Sequence, residues 1–335
     1  MYRQIRAGTD ATTERPAMTR PTLISIGPYD DWDLDPMQVE YDMHPLAGAG
    51  AIGDLPADVR AGCRAVAFKG FSGAAPLDAM AMAALPQLQF IANYGVGYDS
   101  IDIDAASARD IRVTNTPDVL NDDVADLAVA LALMTTRDLV RADAWARSGD
   151  WAARGPMPLT RKFFGRRAGI VGMGRIGRAI ADRLAAFKMP IHYHSRSPKP
   201  VPDGWTYHAD PVDLASASDF LFVALVGGAA TAGYVSEAVI GALGSDGVIV
   251  NISRGSTIDE AAMIAALEGG RLRGAGLDVF QTEPAIDPRL ARLDNVVLAP
   301  HVGSATAETR QAMGQLQRDN LAAFFAGRPL LTPVN

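Results

Sequence analysis

Cysteine is almost absent. Cys63 stands alone in 335 residues, which excludes an intramolecular disulfide and a metal site built from several cysteines. Long apolar runs are missing too, since even residues 125–134 contain Asp126 and stop at Thr135 and Arg137, so no membrane span is expected. The first 21 residues carry charges but no apolar stretch of the kind that opens a secretory signal. Residues 1–20 are read as a disordered extension. Lysine is scarce, limited to Lys69, Lys162, Lys188 and Lys199; beside so much alanine the arginine excess reads as genomic bias. A net charge of −7 argues against a general grip on nucleic acid. The lone cysteine points to a reducing cytoplasm.

Core material is plentiful, with 48% hydrophobic residues in a length that suits two domains. Short β-rich runs at 22–26, 64–68, 88–94 and 112–115 alternate with longer stretches containing Ala and Asp. A second series at 168–171, 191–194, 220–226, 248–252, 275–280 and 296–299 is apolar throughout, as in strands covered on both faces by helices. The expectation is an α/β chain of two doubly wound units. Between the series, Asn121 is expected to cap a long helix with Asp122 and Asp123 in its first turn and Val124, Leu127, Ala128 and Leu131 on one face. That helix runs toward Trp145 and ends by Gly149, and it reads as a domain connector, a dimer interface or both. A last helix is expected over residues 305–325.

Gly172-Met173-Gly174-Arg175-Ile176-Gly177 is a G-x-G-x-x-G run that follows an apolar strand and opens a helix whose Ile176, Ile180 and Leu184 share a face. Gly172 permits the tight turn, Gly174 the approach of a pyrophosphate, and Gly177 close packing of helix on sheet. Free N–H groups at the helix start then face the phosphates. At the end of the next strand an NAD site would place a carboxylate for the ribose hydroxyls. Ser195-Arg196-Ser197 stands there instead, and a hydroxyl beside a guanidinium suits a 2′-phosphate. NADP(H) is therefore the preferred cofactor and NAD(H) the alternative; the rival reading has Arg196 pointing from a loop into solvent.

Four segments carry a resemblance: Asn93-Tyr94-Gly95-Val96-Gly97-Tyr98-Asp99; the glycine run; Asn251-Ile252-Ser253-Arg254-Gly255; and Gly276 to Phe280 leading through Glu283-Pro284 to Pro300-His301-Val302-Gly303-Ser304. In that order they resemble the D-isomer-specific 2-hydroxyacid dehydrogenases, close to the glyoxylate/hydroxypyruvate reductase branch. The resemblance implies a flavodoxin-like substrate domain at 21–117 plus 303–335, a Rossmann-like NAD(P)-binding domain at 118–302, and an active site in the cleft between them. It also implies a homodimer formed through the long connector helix.

Reduction of a 2-keto acid needs a cation for the carboxylate, a proton donor for the carbonyl oxygen and a hydride held against the carbonyl carbon. The residues matching the family's are Arg254 for the carboxylate, His301 as proton donor, and Glu283 to hydrogen-bond the imidazole and favour its protonated form. Taken singly, His301 would more often be structural, Arg254 a surface charge and Glu283 a helix cap. Their joint placement at strand ends favours catalysis. The resemblance also implies substrate contacts from Tyr94, Val96 and Gly97, and cofactor contacts from Asp278, Asn251, Thr231 and Ser304. The loop 227–230 departs from the family's Pro- and Glu-containing form, and Thr231 alone stands as expected. Phe71 and Ser72 are expected to set pocket size, and Trp151 to reach a neighbouring subunit's pocket. His44 and His208 read as solvated, and His194 as at most close to the adenosine ribose. Reduction of bulkier aryl-pyruvates is the rival within the family; a non-catalytic dinucleotide sensor is the rival outside it.

Overall fold

The computed structural model describes residues 20–70 and 75–335. The expected extension at 1–20 falls outside the described residues except for Arg20, whose guanidinium donates to the Gln38 carbonyl. Phe71 and Ser72 also lie outside them.

The first half builds β1 (Thr22–Ile26), α1 (Asp31–Glu40), β2 (Asp42–Leu46), α2 (Ala57–Gly62), β3 (Ala65–Phe68), α3 (Ala79–Ala83), β4 (Phe90–Asn93), α4 (Ile103–Ala108) and β5 (Arg112–Thr114). After the connecting helices α5 (Asn121–Arg137), α6 (Leu139–Arg147) and α7 (Asp150–Arg154), a second series begins. It comprises β6 (Ala168–Val171), α8 (Arg175–Ala186), β7 (Ile191–His194), β8 (Thr206–His208), α9 (Pro211–Ser216), β9 (Phe220–Val223) and α10 (Glu237–Leu243). Then come β10 (Val248–Asn251), α11 (Glu260–Glu268), β11 (Gly274–Leu277), β12 (Val296–Leu298) and α12 (Ala307–Phe325).

Among the described residues the strands form two wholly parallel sheets, in the orders β2-β1-β3-β4-β5 and β12-β11-β10-β9-β6-β7-β8. The first is the flavodoxin-like order, and the second is the Rossmann order extended by one strand. The α/β expectation therefore holds for both halves. Every residue of β3, β4, β6, β9, β10 and β11 is buried, which explains their unbroken apolar character.

Several expectations need correction. Strands β2 and β8 went unpredicted because edge strands need not be apolar: one contains Pro45, the other is Thr206-Tyr207-His208. His44 and His208, expected to be solvated, sit on these strands and are each half-buried, and His208 Nε2 lies 3.0 Å from His192 Nδ1. The strands expected at 220–226 and 275–280 leave their sheet after Val223 and Leu277, where the backbone turns to line the cleft. The cap of α5 is Leu120, not Asn121, whose amide donates instead to Asp118 Oδ1. The connector is not continuous to Trp145: Asp138 takes a left-handed conformation (φ 52°) and separates α5 from α6.

The buried face of α5, with Val124, Ala128, Leu131 and Ala132, lies against α8, β10 and β11. Gly276 makes this possible, since a Cβ there would stand 2.8 Å from that of Leu131. After β12 the chain recrosses to the first sheet. Thr306 caps α12 at the Thr309 N–H, and Gln317 donates to the Ala92 carbonyl and the Tyr29 hydroxyl at 2.7 and 2.9 Å. Arg318 pairs with the fully buried Asp33 of α1. The chain end follows, its Val334 N–H donating to the Val113 carbonyl of β5.

Candidate active site

Loops at the carboxyl ends of both sheets enclose a cleft of about 2350 Å³. Open α/β sheets bind ligands in such crevices, at the point where strand order reverses. In the second sheet that point lies between β6 and β9. Gly172 turns there with φ +102°, and a Cβ would meet the Ala224 carbonyl oxygen at 2.5 Å. At Gly177 a Cβ would overlap the Gly172 carbonyl. Gly174 differs: a Cβ on it would meet no protein atom within 4 Å, and it precedes α8 without a side-chain cap. The space beside an uncapped helix start is what a pyrophosphate requires. A dinucleotide therefore fits these residues.

Around that turn, Gly174, Arg175 and Ile176 line the cleft, and Arg175 forms an ion pair with Asp118 at 3.0 Å across it. Ser195, Arg196 and Ser197 follow β7 outside the cleft lining. The Ser195 hydroxyl donates inward to the Ser197 carbonyl, while Arg196 is exposed and makes no ion pair among the described residues. His194 is buried, bonded to the Tyr234 hydroxyl at 2.6 Å and the His208 carbonyl at 2.9 Å. The Thr231 hydroxyl donates to the Val226 carbonyl and so closes its own loop.

The turn after β10 carries Arg254. Asn251 shapes that turn from beneath, accepting from the Ser253 N–H and donating to the Arg254 carbonyl, both at 3.0 Å. Arg254 reaches across to the first half of the chain, where its Nε lies 3.2 Å from each Asp99 carboxylate oxygen and its Nη2 3.1 Å from Oδ1. Its Nη1 donates to the Ser253 carbonyl at 2.8 Å. Gly97 leaves room for this approach, because a Cβ there would overlap the Arg254 Nη2 and the guanidinium would have to shift. The same loop is braced by Asn93 and Asn115, whose amides donate to the carbonyls of Gly97 and Val96 at 2.9 Å. Tyr94 is buried, with its hydroxyl on the Arg310 carbonyl at 2.6 Å.

His301 ends the series. Its backbone is left-handed (φ 54°), uncommon for a residue with a side chain, and its N–H donates to the Asp278 carbonyl at 2.9 Å. The Asp278 carboxylate accepts from the next two N–H groups, Val302 at 2.7 Å and Gly303 at 2.9 Å. Burial raises the pKa of Asp278, against the lowering effect of those two donors. The turn so pinned puts His301 Nδ1 2.8 Å from Glu283 Oε2, while Glu283 Oε1 accepts from the Phe280 N–H at 2.8 Å. Nε2 has no partner among the described residues, and His301 lines the cleft.

Of the expected residues, the cleft brings together Arg254, Glu283, His301, Tyr94, Val96, Gly97, Gly174, Arg175, Ile176, Asp278 and Ser304. Asn251, Gly172 and Gly177 support it from behind. Trp151 lies on α7, exposed and outside the lining, so any role in a pocket requires a second copy of the chain. Asp99 was missed, although it closes the quoted motif and is a carboxylate within reach of the expected arginine. Lys69 and Asp30 were missed as well, and both line the cleft.

A Rossmann sheet with an open glycine turn, facing a guanidinium and a carboxylate-held imidazole, defines a nicotinamide-dependent oxidoreductase. The family description "D-isomer specific 2-hydroxyacid dehydrogenase, NAD binding domain" matches residues 129–303. The chain is 49% identical over 271 residues to a glyoxylate/hydroxypyruvate reductase of Arabidopsis thaliana, covering 81% of this chain and 85% of that one. It is 49% identical over 257 residues to a hydroxyphenylpyruvate reductase of Plectranthus scutellarioides, covering 77% and 82%. Among solved structures, an NADPH-dependent glyoxylate/hydroxypyruvate reductase from Sinorhizobium meliloti in complex with NADP and malonate matches with TM-score 0.89 and 43% identity, over 94% of this chain and 97% of that one. This protein belongs to the D-isomer-specific 2-hydroxyacid dehydrogenase family.

The glycines separate ligand space from packing space. Gly174→Val is expected to leave the melting temperature nearly unchanged yet weaken dinucleotide binding by at least about tenfold. Gly177→Val, which drives a side chain into the Gly172 carbonyl, is expected to lower both. Fluorescence titration and thermal denaturation check the pair; equal binding by Gly174→Val and the parent protein would contradict the placement of the phosphates.

Proposed function

We propose that this protein reduces small 2-keto acids, glyoxylate and hydroxypyruvate among them, to D-2-hydroxy acids, with NADPH as preferred donor and NADH as the alternative. The observation that carries this is the convergence of Arg254, the Glu283–His301 pair and the open turn at Gly174 on one cleft. Arg254 holds the substrate carboxylate and polarises the keto oxygen. Asp99 occupies its Nε edge and Ser253 one Nη1 hydrogen, which leaves the far end of the guanidinium to grip the substrate. The N–H groups of Val96 and Gly97 add donors to the same carboxylate. His301 delivers a proton from Nε2 to the keto oxygen, and Glu283 keeps the ring oriented through Nδ1. When bound, the nicotinamide supplies the hydride.

The preference for NADPH rests on Arg196 and Ser197, exposed beyond β7 where a 2′-phosphate would lie, and on the NADP complex of the Sinorhizobium meliloti relative. Asp278, Ser304, Asn251 and Thr231 are assigned to the cofactor side, with Asn251 and Thr231 acting through the turns they brace. The substrate domain is 21–117 with 303–335 and the dinucleotide domain 118–302, a division supported by the return of α12 to the first sheet. Aryl-pyruvates form a second reading, favoured by the hydroxyphenylpyruvate reductase relative and by Trp32 in the cleft wall. Exposed Leu139, Val140 and Trp151 on α6 and α7 support a homodimer, and the lone buried Cys63 thiol suits a cytoplasmic protein.

A spectrophotometric panel of glyoxylate, hydroxypyruvate, pyruvate and phenylpyruvate, each with NADPH and NADH, tests the reaction. Faster oxidation of NADPH on the first two acids is expected; a clear NADH preference contradicts the cofactor assignment. His301→Ala should lower kcat by about 10²- to 10⁴-fold with dinucleotide affinity intact, and unchanged turnover would remove its role. Light scattering should report a dimer, a monomer being the contrary result, and cell fractionation should recover the protein with the cytosol.

A further inference from the structure

The cleft wall beyond Tyr94 carries an ion pair that the proton and carboxylate chemistry leaves unused. Lys69 Nζ lies 3.2 Å from Asp30 Oδ2, with a side chain only 12% exposed. The ammonium stands 4.6 Å from the Tyr94 ring centroid and 5.5 Å from that of Tyr29. Asp30 and Lys69 both line the same cleft as Arg254 and His301.

Sheet topology puts them there. The first sheet reverses its strand order between β1 and β3, and Asp30 follows β1 while Lys69 follows β3 directly. Two backbone bonds hold the strand ends in line, from the Lys69 N–H to the Ile26 carbonyl at 2.8 Å and from the Tyr94 N–H to the Phe68 carbonyl at 2.7 Å. The pair therefore stands at the topological switch point of the substrate-side sheet, where such sheets bind ligands. From Tyr94 the chain continues in three residues to Gly97, which touches Arg254.

The chemistry of the pair narrows what it can receive. A lone buried cation would suit a second anionic group, but the Asp30 carboxylate beside this one repels an anion. Among the described residues Asp30 is the one hydrogen-bond acceptor for the Lys69 ammonium, which has three N–H donors. Donor and acceptor side by side complement a hydroxyl, which accepts from one and donates to the other. An apolar ring placed there would desolvate both charges and return no hydrogen bond.

We propose that Lys69 and Asp30 form a hydroxyl-recognition subsite, and that the preferred substrates are 2-keto acids carrying a hydroxyl beyond the keto carbon. This deepens the reductase assignment and rests on it. A site built to hydrogen-bond a substrate hydroxyl discriminates strongly against analogues lacking one, because its own polar groups are then left unpaired.

The test compares Lys69→Met with the parent enzyme on glyoxylate, hydroxypyruvate, 2-ketogluconate and phenylpyruvate, with NADPH. The kcat/KM for whichever hydroxylated acid the parent prefers should fall by about 10- to 100-fold, while glyoxylate changes less than about threefold. Phenylpyruvate should hold or improve. An equal fall on all four acids, or an unchanged ratio of hydroxylated acid to glyoxylate, overturns the subsite. If Lys69→Met fails to fold, Asp30→Asn keeps the shape of the pair without its charge, and the same ratio decides. Failure of the reductase assignment looks different: the parent enzyme then turns over none of the four.

Discussion

One hydrogen bond organises this site, the 2.8 Å contact between Glu283 and the Nδ1 of His301. An imidazole can present either nitrogen, and a free ring would rotate. With Glu283 holding Nδ1, and held in turn by the Phe280 N–H, the ring offers Nε2 to the cleft. A charge-assisted bond of this kind contributes about 1.5–3 kcal/mol, enough to select one ring orientation. The surroundings serve the same end. Asp278 fixes the backbone of the His301 turn through three hydrogen bonds, and that turn is left-handed at His301 itself.

The opposite wall answers with a cation that is also held. Arg254 is joined to Asp99 across the cleft, and the close approach depends on Gly97 having no side chain. Charged groups from the two halves of the chain thus meet across the cleft, while α5 packs on the second sheet and α12 on the first. Because α12 is tied to the first sheet by Gln317 and to α1 by Arg318, the position of His301 just ahead of it is coupled to both halves of the chain. This coupling follows from chain order: the histidine sits at the crossing point.

Legibility in the sequence tracked physical cause. Central strands were legible because burial on both faces leaves an apolar run, as in Phe220 to Val223. Edge strands β2 and β8 were not, since one flank is solvated and Pro45 or His208 is tolerated there. The glycine turn was legible because steric exclusion permits no other residue at Gly172 and Gly177. Arg254, Glu283 and His301 were legible through their motifs, and the structure brings them to one cleft. Asp99, Asp30 and Lys69 were hidden because their meaning lies in pairing across elements, between residues 155 positions apart in one case and 39 in the other. The break at Asp138 was hidden for a similar reason, as the helical pattern continues across it into α6.

Under the proposed reaction a bound keto acid would be held at three points: its carboxylate at Arg254, its keto oxygen at His301, and its reacting carbon against the nicotinamide. Three attachments permit hydride delivery to one face of the carbonyl only. Chiral chromatography of glycerate formed from hydroxypyruvate tests this most directly. The account predicts D-glycerate alone; a racemate, or the L isomer, would contradict it.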